Sequence, residues 1–268
     1  ISPSPQSSPI KNGRGSKKSS LARDERERVR VRDLFPFIGL IVSGGHTDLL
    51  YFNSHTEYQW LGGTRDDAAG ECLDKSGRLI GCSYPAGPEI EKKANQFHLR
   101  GGISTTPREN VKFQSPLLHS DDFDFSFSGL KAEVSRFVQK SSPLPLGEQR
   151  PVSNGTGGWG EGLSNETKNE MCYALQKAIF DVLISKTLNA AEKFNVPNIL
   201  LGGGVSANQT LIEQFKLKTK DQRLTTHILA PERKYSTDNG AMIGAYAALN
   251  YDPKPWNEIT ANPELYFA

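Results

Sequence analysis

The run FIGLIVS, Phe37–Ser43, is apolar at nearly every position and predicts a strand covered on both faces. A Ser-Gly-Gly-His-Thr corner follows. LLYFNS then reads as the hairpin partner of the first strand, and EYQWLGG, Glu57–Gly63, as a third. TRDDAAGECLDKSGRLIG shifts to helical spacing, with Asp66 and Asp67 expected in the first turn against the positive helix end. From Asn165 to Asn195 the pattern gives a long helix or a bent pair. Met171, Leu175, Ala178, Ile179, Val182 and Leu183 fall on one stripe of it. The last third alternates: NILLGGG is a strand entering a glycine turn, SANQTLIEQFKLK a helix, THILAP a strand and STDNGAMIGAYAAL a helix. The predicted order is β-β-β-α-(helical insertion)-α-β-α-β-α. Three antiparallel strands followed by βα units make one complete ribonuclease-H-like lobe of an α/β fold. That lobe is not repeated within the chain.

Two stretches break the pattern. Residues 1–33 (ISPSPQSSPIKNGRGSKKSS…) have almost no apolar periodicity and are expected to be disordered. SSPLPLGEQRPVSNGTGGWGEGLSNET, residues 141–167, reads as a surface loop, since long loops cost little extra closure entropy. The expected organisation is a basic Ser/Arg-rich segment over 1–34, a lobe over 35–250 with a helical insertion at about 64–165, and a tail over 251–268. These segments account for a hydrophobic content of only 36% and a mean hydropathy of −0.51 in a 268-residue chain.

Charge changes the picture little. The net charge is +2, but residues 1–33 carry nine Lys/Arg against four Asp/Glu, so the remainder is net acidic. Such a basic head is either a solvated tail or an attractor of nucleic acid or anionic membrane. Cys72, Cys82 and Cys172 are odd in number and widely spaced, with no CxxC or Cys/His zinc spacing, which fits a reducing compartment. No run approaches the roughly 18 apolar residues of a membrane span, so no membrane partner is expected. The first residue is Ile, which suggests upstream removal or a fragment. The head is Ser- and Arg-rich like a transit peptide, but Asp24, Glu25 and Glu27 argue against a clean one.

Candidate chemistry gathers at the glycine turns. Gly44 and Gly45 let the backbone turn with positive φ and let a ligand approach without a Cβ in the way, and the corner's N–H groups can hold an anion. A hairpin turn with a polar tip is the plainer alternative. In LLGGGVSAN, Leu200–Asn208, a strand ends, three glycines turn and a helix starts, which aims N–H groups and the positive helix end at a phosphate or ribose. The alternative is a packing turn. Neither G-x-G-x-x-G nor the P-loop Lys is present, so the two standard nucleotide fingerprints are excluded. In STDNGAM, Asp238 sits at a helix start, either as an N-cap or as a carboxylate for a metal bridging phosphates. Asp74 lies mid-helix, facing solvent or reaching for a ligand hydroxyl. YPAGP, Tyr84–Pro88, is a rigid turn. DFDFSFSGLK is an edge strand or an aromatic plug, with Lys131 available to nucleic acid. No side chain stands out as a catalytic acid or base.

VSGGHT, DDAAGECLDK, YPAGP, DFSFSGLK, GGGVSAN and STDNGAM, in this order, resemble the tRNA threonylcarbamoyladenosine synthase family of the actin/Hsp70/sugar-kinase superfamily. Together they cover most of Phe35 to Leu249. The resemblance implies an actin-like ATPase second lobe with a helical insertion. It also implies transfer of threonylcarbamoyl from threonylcarbamoyl-AMP to N6 of the adenosine 3′ of the anticodon in tRNA. By position, Ile41, Val42, Ser43, Gly44 and Gly45 would line the adenylate site, Asp74, Gly87 and Asn208 would contact ribose or adenine, and Asp238 would ligate one divalent metal, iron or zinc. The family's H-x-x-x-H metal ligands have no match among His46, His55, His98, His119 and His227, and its first lobe is missing. GGHT and GGVSAN look like the bacterial and mitochondrial branch, and the low-complexity insertions look eukaryotic. The expectation is therefore a mitochondrial protein, cytoplasmic if bacterial, that is a homodimer when intact. Two readings compete: an ATP-dependent kinase or ATPase of the same superfamily, and a non-catalytic truncated paralogue that binds nucleotide or a partner. A kinase should show a carboxylate for the sugar hydroxyl, and none is evident at the glycine turns.

Overall fold

The computed structural model describes residues 34–99, 111–141, 162–222 and 225–260, all within the unit Leu34–Ala268. The expected disorder of residues 1–33 lies outside the described residues, as do 142–161 of the expected loop and 261–268 of the expected tail.

The strands are β1 (Phe37–Val42), β2 (Thr47–Phe52), β3 (Tyr58–Gly63), β4 (Asn198–Gly202) and β5 (His227–Leu229). They form one sheet in the order β3-β2-β1-β4-β5. β1 pairs antiparallel with β2, and β2 antiparallel with β3 across an irregularity at Leu49/Leu50. β4 lies parallel to β1 and β5 parallel to β4. The central position of β1 explains its composition. Ile38, Leu40 and Val42 are buried, as a strand with neighbours on both edges requires.

The helices are α1 (Ala69–Ile80), α2 (Ala86–Leu99), α3 (Ser128–Ser141), α4 (Asn165–Lys193), α5 (Gln209–Asp221) and α6 (Gly240–Leu249). The element order matches the expected one. Three details do not. The Asn165–Asn195 segment is one helix of 29 residues, and its buried positions run round most of its circumference, where one stripe was expected. The reason is position: α4 packs against α1, α2, α3, α5 and the sheet, and leaves only a row through Tyr173, Lys177, Asp181, Ser185 and Asn189 incompletely covered. Asp66 and Asp67 do not sit in the first turn of α1, which begins at Ala69. Asp66 instead receives Phe127 N (2.7 Å), Ser128 N (3.2 Å) and the hydroxyls of Ser126 (2.5 Å) and Ser128 (2.8 Å), and so caps α3, while Asp67 pairs with Lys75 at 2.7 Å. Burial opposes charge on Asp66, but these bonds, led by that of Ser126, outweigh it and hold the carboxyl below its ordinary range. Finally, residues 162–167 of the expected loop are structured: Leu163 is buried and the Ser164 hydroxyl caps α4 by accepting from Thr167 N at 3.1 Å.

The DFDFSFSGLK segment is the aromatic plug. Phe125 and Phe127 are fully buried, and Phe125 makes a parallel bridge to Thr64. Behind it lies a buried cation. Lys186 of α4, 2% exposed, donates to Ser120 Oγ (2.7 Å), Asp122 O (2.8 Å) and Asp122 Oδ1 (3.0 Å). Arg65 closes the same cluster at 2.7 Å to Asp122 and 2.9 Å to Asp124. Hydrogen bonds from Lys186 and then Ser120 draw the Asp122 carboxyl down to about 2.

Candidate functional site

Both glycine turns leave the sheet at the same end, because β1 and β4 are parallel neighbours whose Ile41 and Gly202 stand in register. At the end of β1, Ser43 folds the corner on itself. Its N–H donates to His46 O (2.8 Å), and its hydroxyl accepts from Gly45 N (3.3 Å) and His46 N (3.0 Å). This corrects one expectation, since those two amides are already engaged by Ser43. Thr47 completes the corner: its Oγ1 accepts from Ala69 N at 2.9 Å and caps α1, which has no cap of its own at Ala68. His46 and Thr47 thus carry structure, and the alternatives left open for the corner resolve toward a folded turn whose Gly44 faces the cleft.

The second turn needs its glycine. Gly203 has φ +89, and a Cβ there would strike the Val42 carbonyl, so the β4 turn can lie against the end of β1 only without a side chain. A short 3-10 turn, Gly204–Ala207, leads to Asn208, whose Oδ1 accepts from Leu211 N (3.2 Å) and caps α5. Asn208 Nδ2 donates to Gln176 Oε1 of α4 at 3.1 Å. Gly70 brings α1 in equally close: its N–H donates to Ser43 O at 3.1 Å, and a Cβ would sit 2.5 Å from that oxygen.

Between these turns lies a cavity of about 260 Å³. Gly44, Asp74, Gly87, Gly204 and Asn208 line it, together with Gly70, Glu91, Arg233 and Thr237. The mid-helix Asp74 accepts from Ala86 N at 2.7 Å, which joins α1 to the start of α2, and it also faces the cavity. Gly87 has open space where a Cβ would point. Ile41, Val42, Ser43 and Gly45 are not among the lining residues. Val42 is fully buried in the core, so its side chain is not available to a ligand.

Sequence reading missed Gly70, Glu91, Arg233 and Thr237. A signal existed for two of them: Gly70 is inside DDAAGECLDK and Thr237 is inside STDNGAM. Glu91 Oε1 accepts from Gln209 N (2.8 Å) and Asn95 Oδ1 from Thr210 Oγ1 (3.1 Å), so α2 holds the start of α5 across the cavity.

Asp238 is exposed and follows the cavity-lining Thr237. It is not the helix cap: Asn239 takes that role, its Oδ1 accepting from Met242 N at 3.0 Å. Among the described residues no group of three or more His, Cys, Asp or Glu could hold an ion. The described residues alone do not make a metal site. Lys131 is exposed at the start of α3. Among the described residues no helix is long and apolar enough to cross a membrane.

Comparison with known proteins gives the same family. The family described as "TsaD: tRNA N6-adenosine threonylcarbamoyltransferase" matches residues 22–245, a stretch that begins inside the basic segment. A protein of Limosilactobacillus fermentum called tRNA N6-adenosine threonylcarbamoyltransferase is 36% identical over 236 residues, 87% of this chain and 60% of that protein. Proteins of the same name from Endomicrobium trichonymphae and Lactiplantibacillus plantarum are 38% and 35% identical over 86% and 87% of this chain. The chain spans about 60% of the length of these curated relatives. A solved structure, "Crystal structure of T.kodakarensis HypF", superposes with a TM-score of 0.50 at 14% identity over 82% of this chain and 35% of that one, a likeness of fold alone. The mitochondrial expectation is overturned: these relatives are bacterial proteins. The low-complexity insertions that prompted it are compositional features and carry no compartment signal.

Proposed function

The chain belongs to the tRNA N6-adenosine threonylcarbamoyltransferase (TsaD) family, and from that membership we propose that its cleft holds threonylcarbamoyl-AMP for transfer of the threonylcarbamoyl group to N6 of the adenosine 3′ of the anticodon in tRNA. The observation that carries this reading is the convergence of both glycine turns, Asp74, Gly87 and Asn208 on one cavity. A ribonuclease-H-like lobe would present its ligand at such a strand end, and the sheet order supports that assignment.

In this reading the adenylate lies between Gly44 and Gly204, where the absence of side chains lets phosphate come close to the backbone. Asp74 and Gly87 take the ribose or adenine, and Asn208 borders it from α5. The N6 nitrogen of adenosine bonds to the carbamoyl carbon, the bond from that carbon to the phosphate oxygen breaks, AMP leaves as an anion and the N6 proton passes to solvent. A mixed anhydride is already activated, so the chain's share is positioning rather than acid–base work. Asp238 would offer one carboxylate oxygen to a divalent ion, and such an ion would supply polarisation of the carbonyl. Partner tRNA and a homodimer of the intact protein remain part of the proposal.

The test is ligand-linked melting of the purified chain. Threonylcarbamoyl-AMP, or a stable analogue of it, should raise the midpoint more than ATP, and Asp74→Ala should remove the shift. A larger effect of ATP favours the kinase or ATPase reading, and no shift with either favours a non-catalytic paralogue. Alone, this chain should leave unmodified tRNA unmodified; formation of threonylcarbamoyladenosine by the isolated chain would overturn the assignment of the remaining steps to residues elsewhere in the longer relatives.

A further inference from the structure

We propose that Cys82 and Cys172 form a redox modification site, closing to a disulfide on exposure to a small-molecule disulfide. Their sulfurs lie 3.9 Å apart although 90 positions separate them in the chain. Cys172 is fully buried on α4, and Cys82 is 8% exposed in the turn between α1 and α2. A disulfide needs about 2.05 Å between sulfurs, so one side must yield by nearly 2 Å. Cys82 is the less enclosed side, although its N–H is held by Gly77 O at 2.8 Å. It follows Gly81, which ends α1 with φ +93, and it lies in the non-helical stretch before α2 begins at Ala86. Cys172 lies on the covered side of α4, which packs against α1, α2, α3, α5 and the sheet and holds it still.

The two thiols are also unequal in the way exchange requires. Their mutual hydrogen bond draws the Cys82 thiol down and pushes the Cys172 thiol up, and burial adds to the rise at Cys172. Cys82, which keeps 8% exposure where Cys172 has none, is the nucleophile, and Cys172 the resolving thiol. The Cys82 thiolate attacks one sulfur of oxidised glutathione and expels the other half as thiolate, giving a mixed disulfide. Cys172 loses its proton, attacks Cys82 Sγ and expels the second glutathione thiolate. Two protein thiols are oxidised by two electrons, one reagent disulfide is reduced to two thiols, and the two protein protons pass to them. Cys72 is an internal control. It is fully buried, its Sγ contacts Phe127 O (3.4 Å) and Ser76 Oγ (3.9 Å), and burial pushes its thiol up to about 12.

The experiment treats the folded full chain with excess oxidised glutathione, alkylates remaining thiols after denaturation and digests with trypsin under non-reducing conditions. The expected product joins the peptide Leu79–Lys92 to Asn169–Lys177, is lighter than the two reduced peptides by two hydrogens, and separates on reduction. The Cys72 peptide, Asp66–Lys75, should appear only alkylated. Cys82→Ser should abolish the link and leave Cys172 alkylated, which excludes attack led by Cys172. The proposal is overturned if the two peptides are recovered separately, whether alkylated or glutathione-capped, or if Cys72 enters a link in the folded protein.

Discussion

α4 and α6 both carry long runs of apolar side chains, and the protein treats them in opposite ways. Along α4, Met171, Leu175, Ile179, Phe180, Leu183 and Leu188 are buried, and polar Glu170, Gln176 and Lys186 are buried with them. Along α6, GAMIGAYAAL, no residue is buried: Ile243 is 63% and Tyr246 68% exposed. An all-round apolar helix in water expects cover on every side. α4 finds cover for its apolar positions from four helices and the sheet and turns Lys177 and Asn189 outward; α6 finds none among the described residues. Apolarity marks a helix for burial without saying what buries it. The helix with cover can even take a lysine inside, because Ser120 and Asp122 reach it.

The contrast breaks most decisively in α4. Phe180→Ala removes a fully buried ring facing packed neighbours and should cost about 3–5 kcal/mol in chemical denaturation of the chain. A loss near zero would mean that α4 is not the centre of the core.

Asp122→Ala tests the polar half of the same helix. It leaves Lys186 buried with its charge partner gone, but Ser120 Oγ and the main-chain oxygen at 122 remain. The cost should fall to about 2–3 kcal/mol, below the roughly 3–5 of a fully broken buried pair. The pH dependence has a defined sign. The folded Asp122 carboxyl lies near 2, below its unfolded value, so its stabilisation is complete above the ordinary carboxylate range near 4 and is lost as pH falls toward 2. Asp66, also held low, loses its share in the same direction. Denaturation midpoints of the parent and Asp122→Ala should therefore converge between about pH 4 and 2; parallel curves would remove the ion cluster from the account.

What the sequence made legible follows the same division. Element order was readable because short apolar runs and glycine punctuation are local. Gly44, Asp74, Gly87, Gly204 and Asn208 stood out because they sit in the glycine-turn and helix motifs, and the cavity gathers them, whereas Ile41, Val42, Ser43 and Gly45, singled out with them, do not line it. Long-range partners were not. Nothing local says that Asp66 caps a helix 62 positions on at Ser128, that Lys186 meets Asp122, or that Thr47 caps α1. Glu91 and Arg233 escaped because their charges look like solvated faces until α2 and the Arg233 turn are brought to one cleft.

The smallest effect is expected in α6, where it is also the most informative. Ile243→Lys with Tyr246→Lys replaces two exposed apolar side chains three positions apart on one face. Neither packs in a core, so the unfolding free energy of the chain should move by no more than about 0.5 kcal/mol. Apolar surface left to water drives association, so light scattering should show less concentration-dependent self-association in the double variant than in the parent. The two readings together decide the matter. Unchanged stability with reduced association means that α6 is a helix whose cover comes from another surface. A cost above about 1.5 kcal/mol would mean that α6 is packed in the isolated chain after all, and its contrast with α4 would disappear.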